Sequence, residues 1–150
     1  MKRIILLRHA KAVAEHGGGD FARPLAPHGI AQIQQVAHSF QAHGWKPELA
    51  LASPAARARE TAELLAKHIG NLAIVTDQTL YLATDRRMTE VLAGMPDEIQ
   101  TLLLIGHNPG ISELAATWNK QPAVQLPTAG FVACQLAIHH WKDILQHIPK

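Results

Sequence analysis

The sequence has one cysteine in 150 residues, no block of like charge and no long apolar stretch, and each scarcity removes a class of protein. A lone thiol, Cys134, excludes an internal disulfide, and its place in the apolar segment Phe131 to Ile138 predicts a buried sulfur rather than a nucleophile. Near the start, the longest apolar run is Ile4 to Leu7, far short of a membrane span or a signal-peptide core. The expectation is a cytoplasmic protein without membrane contact. Lys and Arg are scattered, with Lys2-Arg3 and Arg86-Arg87 the only adjacent pairs, so a net charge of +2 builds no nucleic-acid surface. Ten histidines invite a metal reading, but there is no HExxH and no cysteine pair. His139 and His140 are neighbours that a strand would turn to opposite faces, so no metal site is expected.

What is present is an ordinary globular composition, 47% hydrophobic and 17% charged, of a length that suits one domain over residues 1–150. The apolar run 4–7 predicts a strand covered on both faces, 101–105 is a strand of the same type, 49–52 and 72–75 read as short strands, and 130–138 predicts a last strand. Helical spacing recurs between them. Ile30, Ile33, Val36, Ala37 and Phe40 mark a helix from Gly29 that Gly44 stops. Ser53-Pro54 reads as an N-cap and first helical residue for a helix reaching about His68. Further helices are expected at 88–93 and around Ile111 to Trp118, with an amphipathic tail around Trp141 and Ile148. Residues 16–28, with Gly17-Gly18-Gly19, Pro24 and Pro27, read as a long loop. Alternating strands and helices point to a three-layer α/β/α sandwich on a mostly parallel sheet.

Ligands of such sheets bind beyond the carboxyl ends of the strands. Three of those places hold conspicuous residues: Arg8-His9 after the first strand, Arg57 in the helix after the second, and His107 after the fourth. Phosphoryl transfer through a protein nucleophile needs a group that attacks phosphorus in line and cations for the equatorial oxygens. A neutral imidazole meets the first need and the planar guanidinium fork the second. Singly, each has a plain alternative. Arg8-His9 is a chance pair in a histidine-rich chain, His107 fills a tight turn, and Arg57 is a solvated helical arginine. Their coincidence at strand ends shifts the balance.

Arg8-His9-Ala10 resembles the Arg-His-Gly/Ala motif of the histidine phosphatase superfamily, whose fold is phosphoglycerate mutase-like. Ser53-Pro54-Ala55-Ala56-Arg57-Ala58-Arg59-Glu60-Thr61 is similar to its Ser-Pro-x-x-Arg-Ala-x-x-Thr segment, which selects Arg57 over Arg59. Gly106-His107-Asn108-Pro109 is similar to its second histidine motif. The resemblance implies a phosphatase without metal or other cofactor, in which His9 becomes phosphohistidine while Arg8, Arg57 and His107 bind phosphate.

Within that family, Ala10-Lys11-Ala12, Arg23-Pro24-Leu25 and the short chain resemble the SixA-type phosphohistidine phosphatases, which also carry an Asp and an Arg before Pro-Leu. Asp20 and Arg23 are therefore candidates for a substrate loop, with a surface ion pair between them as the alternative. Pro127-Thr128 resembles another segment near the site, though Thr128 also suits a turn, and Asn108 reads as a helix cap. Mutase-like members carry an acidic proton donor. Asp77, Asp85 and Glu90 are the candidates here, each more readily a solvated surface carboxylate. The expected partner is a phosphohistidine-bearing protein or a small phosphorylated metabolite. A broad phosphomonoesterase and a vestigial phosphate-sensing module are the competing functions.

Overall fold

The computed structural model describes residues 1–119 and 125–147. Its centre is a five-stranded sheet of β1 (Lys2–Arg8), β2 (Leu49–Ala52), β3 (Ala73–Thr76), β4 (Thr101–Gly106) and β5 (Phe131–Leu136), in the order β3-β2-β4-β1-β5. All neighbours are parallel except β1 and β5. The helices are α1 (Pro27–His43), α2 (Ala56–Ile69), α3 (Asp85–Ala93) and α4 (Gly110–Asn119).

Uniformly apolar β1, β2 and β4 fit because both faces of the sheet are covered there, whereas the edge strand β3 is largely exposed. Alternate residues of a strand point to opposite faces, so Ile4 and Leu6 join one core and Ile5 and Leu7 the other. The first core adds Met88, Val91 and Leu92 of α3, Ile111 and Leu114 of α4, and Trp141. The second adds Ile33, Val36 and Phe40 of α1 with Ala58, Ala62 and Leu65 of α2. This is the expected three-layer sandwich of phosphoglycerate mutase-like type. Cys134 is buried in the first core, which pushes its thiol pKa up to about 11.

Several boundaries differ from the expectation. Helix α1 starts at Pro27, whose fixed φ suits the first turn, so the loop ends two residues before the predicted helix start. Helix α2 starts at Ala56 with Ala55 at its N-cap, so Ser53 and Pro54 precede it rather than capping it. Helix α3 starts at Asp85, where the Thr84 side chain accepts from the Arg87 N–H. Beyond β5, which ends at Leu136, Trp141–His147 form 3-10 turns. His139 and His140 thus lie off the strand, and His140 pairs with Asp97 at 2.9 Å. Ile148, read as part of the tail, lies outside the described residues. No described helix is long and apolar enough to cross a membrane.

The long loop is closed at its base. Ala12 bridges Leu25, Val13 N–H donates to the Pro24 carbonyl at 3.0 Å, and Ala26 N–H donates to the Lys11 carbonyl at 2.9 Å. Gly29 lets α1 come this close, because a Cβ there would overlap the Lys11 carbonyl oxygen. Gly29→Ala should therefore cost about 1–3 kcal/mol by overpacking, seen as a lower urea midpoint with unchanged slope. Wild-type stability would show that the loop base yields freely.

Candidate active site

In the parallel β1/β4 pair, Arg8 lies opposite Gly106, so His9 and His107 each leave their strand at the same level. The His9 N–H extends the ladder to the Gly106 carbonyl at 3.1 Å. The two rings end 5.1 Å apart between centroids, and the residues are 6% and 4% exposed. On the other side of β4, Ser53 follows β2 and donates its N–H to the Ile105 carbonyl at 3.2 Å. Its Oγ lies 2.7 Å from His107 Nε2. The first turn of α2 then brings in Arg57, 3% exposed, while Arg59 faces outward in a 3.1 Å pair with Glu63.

A hydrogen bond assigns the ring proton of His9. His9 Nδ1 lies 2.8 Å from the Ala10 carbonyl, which only accepts, so Nδ1 carries the proton and Nε2 keeps its lone pair. Ser53 Oγ accepts from the Ala55 N–H at 3.2 Å and shares a hydrogen bond with His107 Nε2. His107 Nδ1 is buried and has no partner. Burial first, then the charges of Arg57 and Arg8, brings the His9 pKa down to about 4 against the pull of the Ala10 bond. Burial thus outranks the neighbouring cations as the cause. His107 falls to about 3, by burial and then by His9 and Arg57.

Arg8, His9, Arg57 and His107 line one pocket of about 230 Å³ together with Lys11, Arg23, Leu82, Asn108 and Thr128. Arg8 Nε, Arg57 Nε and His107 Nδ1 are sealed from solvent without a partner. Two guanidiniums with unspent N–H groups at the wall of one small cavity suit an oxyanion. Among the described residues, no group of three or more His, Cys, Asp or Glu is placed to hold a metal ion. None of Asp77, Asp85 and Glu90 lines the pocket, and Asp77 instead accepts from the Thr79 N–H at 2.8 Å. Asn108 is a cross-brace rather than a helix cap: its amide donates to the Leu126 carbonyl at 2.9 Å and its oxygen accepts from Ser112. Thr128 accepts from Gln32 through both its carbonyl and its hydroxyl.

Of the two loop residues, Arg23 lines the pocket and Asp20 stands outside it. Asp20 pairs with Arg23 at 3.0 Å and with Arg57 at 3.2 Å, and Tyr81 donates its hydroxyl to Asp20. Arg23 donates from Nη1 to the Val13 carbonyl at 2.7 Å and from Nε to Asp20 at 3.0 Å. Tyr81 also packs edge-on against His107 at 5.6 Å and Phe21 at 5.0 Å. Sequence reasoning missed Tyr81 and misread Ser53. Nothing local marks Tyr81, and the Ser-Pro signal that suggested a cap reflects a residue turned back toward the neighbouring strand.

A profile of the histidine phosphatase superfamily (branch 1) matches residues 4–81, the half of the chain that carries Arg8, His9 and Arg57. The chain belongs to the histidine phosphatase superfamily. It is 31% identical over 149 residues to an uncharacterized protein of Mycobacterium tuberculosis, a match covering 92% of this chain and 91% of that one. An uncharacterized chloroplastic protein of Arabidopsis thaliana is 30% identical over 154 residues, covering 95% and 70%. Among solved structures, a protein provisionally described as phosphohistidine phosphatase SixA from Agrobacterium tumefaciens superposes with a TM-score of 0.80 at 29% identity, covering 88% of this chain and 90% of that one. The protein histidine phosphatase SixA complexed with tungstate shares the fold at a TM-score of 0.77 and 20% identity, covering 89% and 88%. This histidine phosphatase is thus SixA-like in architecture, and its activity class is that of a phosphatase.

The lowered histidine pKa values carry a stability signature. Unfolding returns both rings toward the ordinary value near 6.5, so between about pH 6.5 and 4 the unfolded chain binds more protons. The stabilisation is complete above pH 6.5 and is lost as pH falls toward 4, at up to about 1.4 kcal/mol per pH unit for each ring. Urea denaturation at pH 7, 5.5 and 4.5 should trace this decline, and His107→Asn should flatten it. An equal slope in that variant would refute the neutral assignment of His107.

Proposed function

We propose that this phosphatase works through a phosphohistidine formed on His9 and acts on phosphohistidine carried by a protein. The observation that carries the mechanism is the His9 Nδ1 bond to the Ala10 carbonyl, which leaves Nε2 as the unprotonated nitrogen of a buried neutral ring. That nitrogen attacks phosphorus, its lone pair forms the N–P bond, and the bond to the leaving group breaks. Water then attacks the phosphorus of phospho-His9 and releases orthophosphate. Arg8 and Arg57 stabilise the equatorial oxygens, since guanidinium stays charged and offers paired N–H groups. His107 stands beside them in the pocket.

The leaving group decides between substrates. A sugar or serine alkoxide needs a proton as it departs, and the pocket lining holds no carboxylate to give one. An imidazole leaving group is far less basic and departs with weak assistance. A pocket of about 230 Å³ admits a phosphoryl group and a ring, below the roughly 300–1,000 Å³ usual for drug-sized ligands. Phe21 and Leu82, 46% and 56% exposed, stand beside it as apolar ground for a protein surface. The likeness to the Agrobacterium protein supports the same substrate.

Turnover of a phosphohistidine protein, a phosphoserine peptide and an aryl phosphate should favour the first. Strong turnover of the other two without the first would transfer the assignment to small phosphomonoesters. His9→Ala should lower kcat by at least about a thousandfold, and acid quenching should trap labelled phosphate on wild-type protein but not on this variant. Labelling of the variant at wild-type level would exclude His9 as the nucleophile.

A further inference from the structure

Both pocket arginines are held in the same way, and in one of them a loop side chain completes the hold. Arg8 Nη1 donates to the Leu126 carbonyl at 2.9 Å, and Arg57 Nη1 donates to the Asp20 carbonyl at 2.9 Å. In each case Nε is buried without a partner. Arg57 has a second tie, from Nη2 to Asp20 Oδ2 at 3.2 Å. Asp20 itself is outside the lining of the phosphate pocket and lines the adjoining hollow of about 350 Å³, with Arg23 common to both. The carboxylate thus approaches the guanidinium from behind, at its Nη ends.

We propose that Asp20 is a positioning residue for Arg57: its two bonds to the Nη ends hold the guanidinium in one place at the wall of the pocket. The inference rests on the reading of this pocket as a phosphate site. A long arginine side chain free to rotate spreads over many rotamers, and fixing its Nη ends removes that freedom before substrate arrives. Asp20 is itself held. Its Oδ1 lies 3.0 Å from both Nε and Nη2 of Arg23, and Oδ2 takes the Tyr81 hydroxyl. Chiefly through the Tyr81 bond, then through Arg23 and Arg57, its pKa falls to about 2, so the carboxylate is ionised throughout the working range. This also separates it from a proton donor. The segment 13–24, whose base is clamped on both sides, then serves to hold Arg57 in register.

Orthophosphate and tungstate binding by calorimetry tests this on the whole chain, with no turnover needed. Arg57→Ala should weaken binding by about tenfold to a hundredfold, the range of a charge-assisted hydrogen bond of about 1.5–3 kcal/mol. Asp20→Ala should weaken it about tenfold, whereas Asp20→Asn, which keeps an acceptor for Arg57 Nη2 and Tyr81, should stay within about threefold of wild type. In an Arg57→Ala background, Asp20→Ala should add less than about twofold, because a positioning residue has nothing left to position. Glu15→Gln, in the same loop and outside the contacts of Arg57, should leave binding unchanged. Asp20→Ala binding phosphate as well as or better than wild type would overturn the proposal and make Asp20 a competitor. The same tenfold loss on the Arg57→Ala background, or in Asp20→Asn, would overturn it as well. Undiminished binding by Arg57→Ala alone would instead sink the phosphate pocket itself, and failure on phosphohistidine protein would leave the Asp20 result standing.

Discussion

The pairing of β1 with β4 sets the geometry on which the rest of the site depends. With Arg8 opposite Gly106, two strands that are remote in sequence end level with each other, and the next residue of each is a histidine. A slip of one residue would turn one ring to the far face of the sheet. Leu6, Leu7, Leu104 and Ile105 are fully buried and alternate between the two cores, so a slip would also force side chains into the wrong core and spoil the packing of both. Packing and chemistry are therefore enforced by the same ladder.

Burial then governs the chemistry. Two imidazoles share a small pocket with the guanidiniums of Arg8, Arg23 and Arg57 and with Lys11, and protonated rings would add to the repulsion there. The fold avoids that by withdrawing His9 and His107 from water, which keeps both rings neutral. The positive charge of the pocket is left to Lys11 and to the arginines, whose pKa is too high for burial to discharge, although that of Arg8 is lowered by burial and by Arg57. Backbone carbonyls at Ala10, Leu126 and Asp20 orient these side chains, so much of the positioning is supplied by main-chain groups.

Much of the architecture was legible because the central strands are covered on both faces, and uniformly apolar runs such as Leu102 to Ile105 have few other uses. Helix starts were less legible. Pro27 and Ser53-Pro54 are each compatible with a loop or a first turn, and the outcome turned on neighbours such as the Lys11 backbone and the His107 ring. Arg8, His9, Arg57 and His107 stood out because functional residues of an open sheet gather at strand ends. Asp20 and Arg23 were visible as a pair, but their tie to Arg57 spans 37 positions and leaves no local pattern. Tyr81 had no signal at all, since its role comes from three partners brought together by folding.

By itself the sequence determined the class of fold, the family and which residues stand at the strand ends, since periodicity and motif spacing are properties of the chain. Tertiary structure alone decided the electrical and geometric state of those residues. Which ring nitrogen is bare depends on a carbonyl that happens to lie 2.8 Å away. Whether a histidine is neutral depends on how completely water is excluded. Where a guanidinium rests depends on what grips its Nη ends. These are properties of contacts, and contacts exist only once the chain has closed around them.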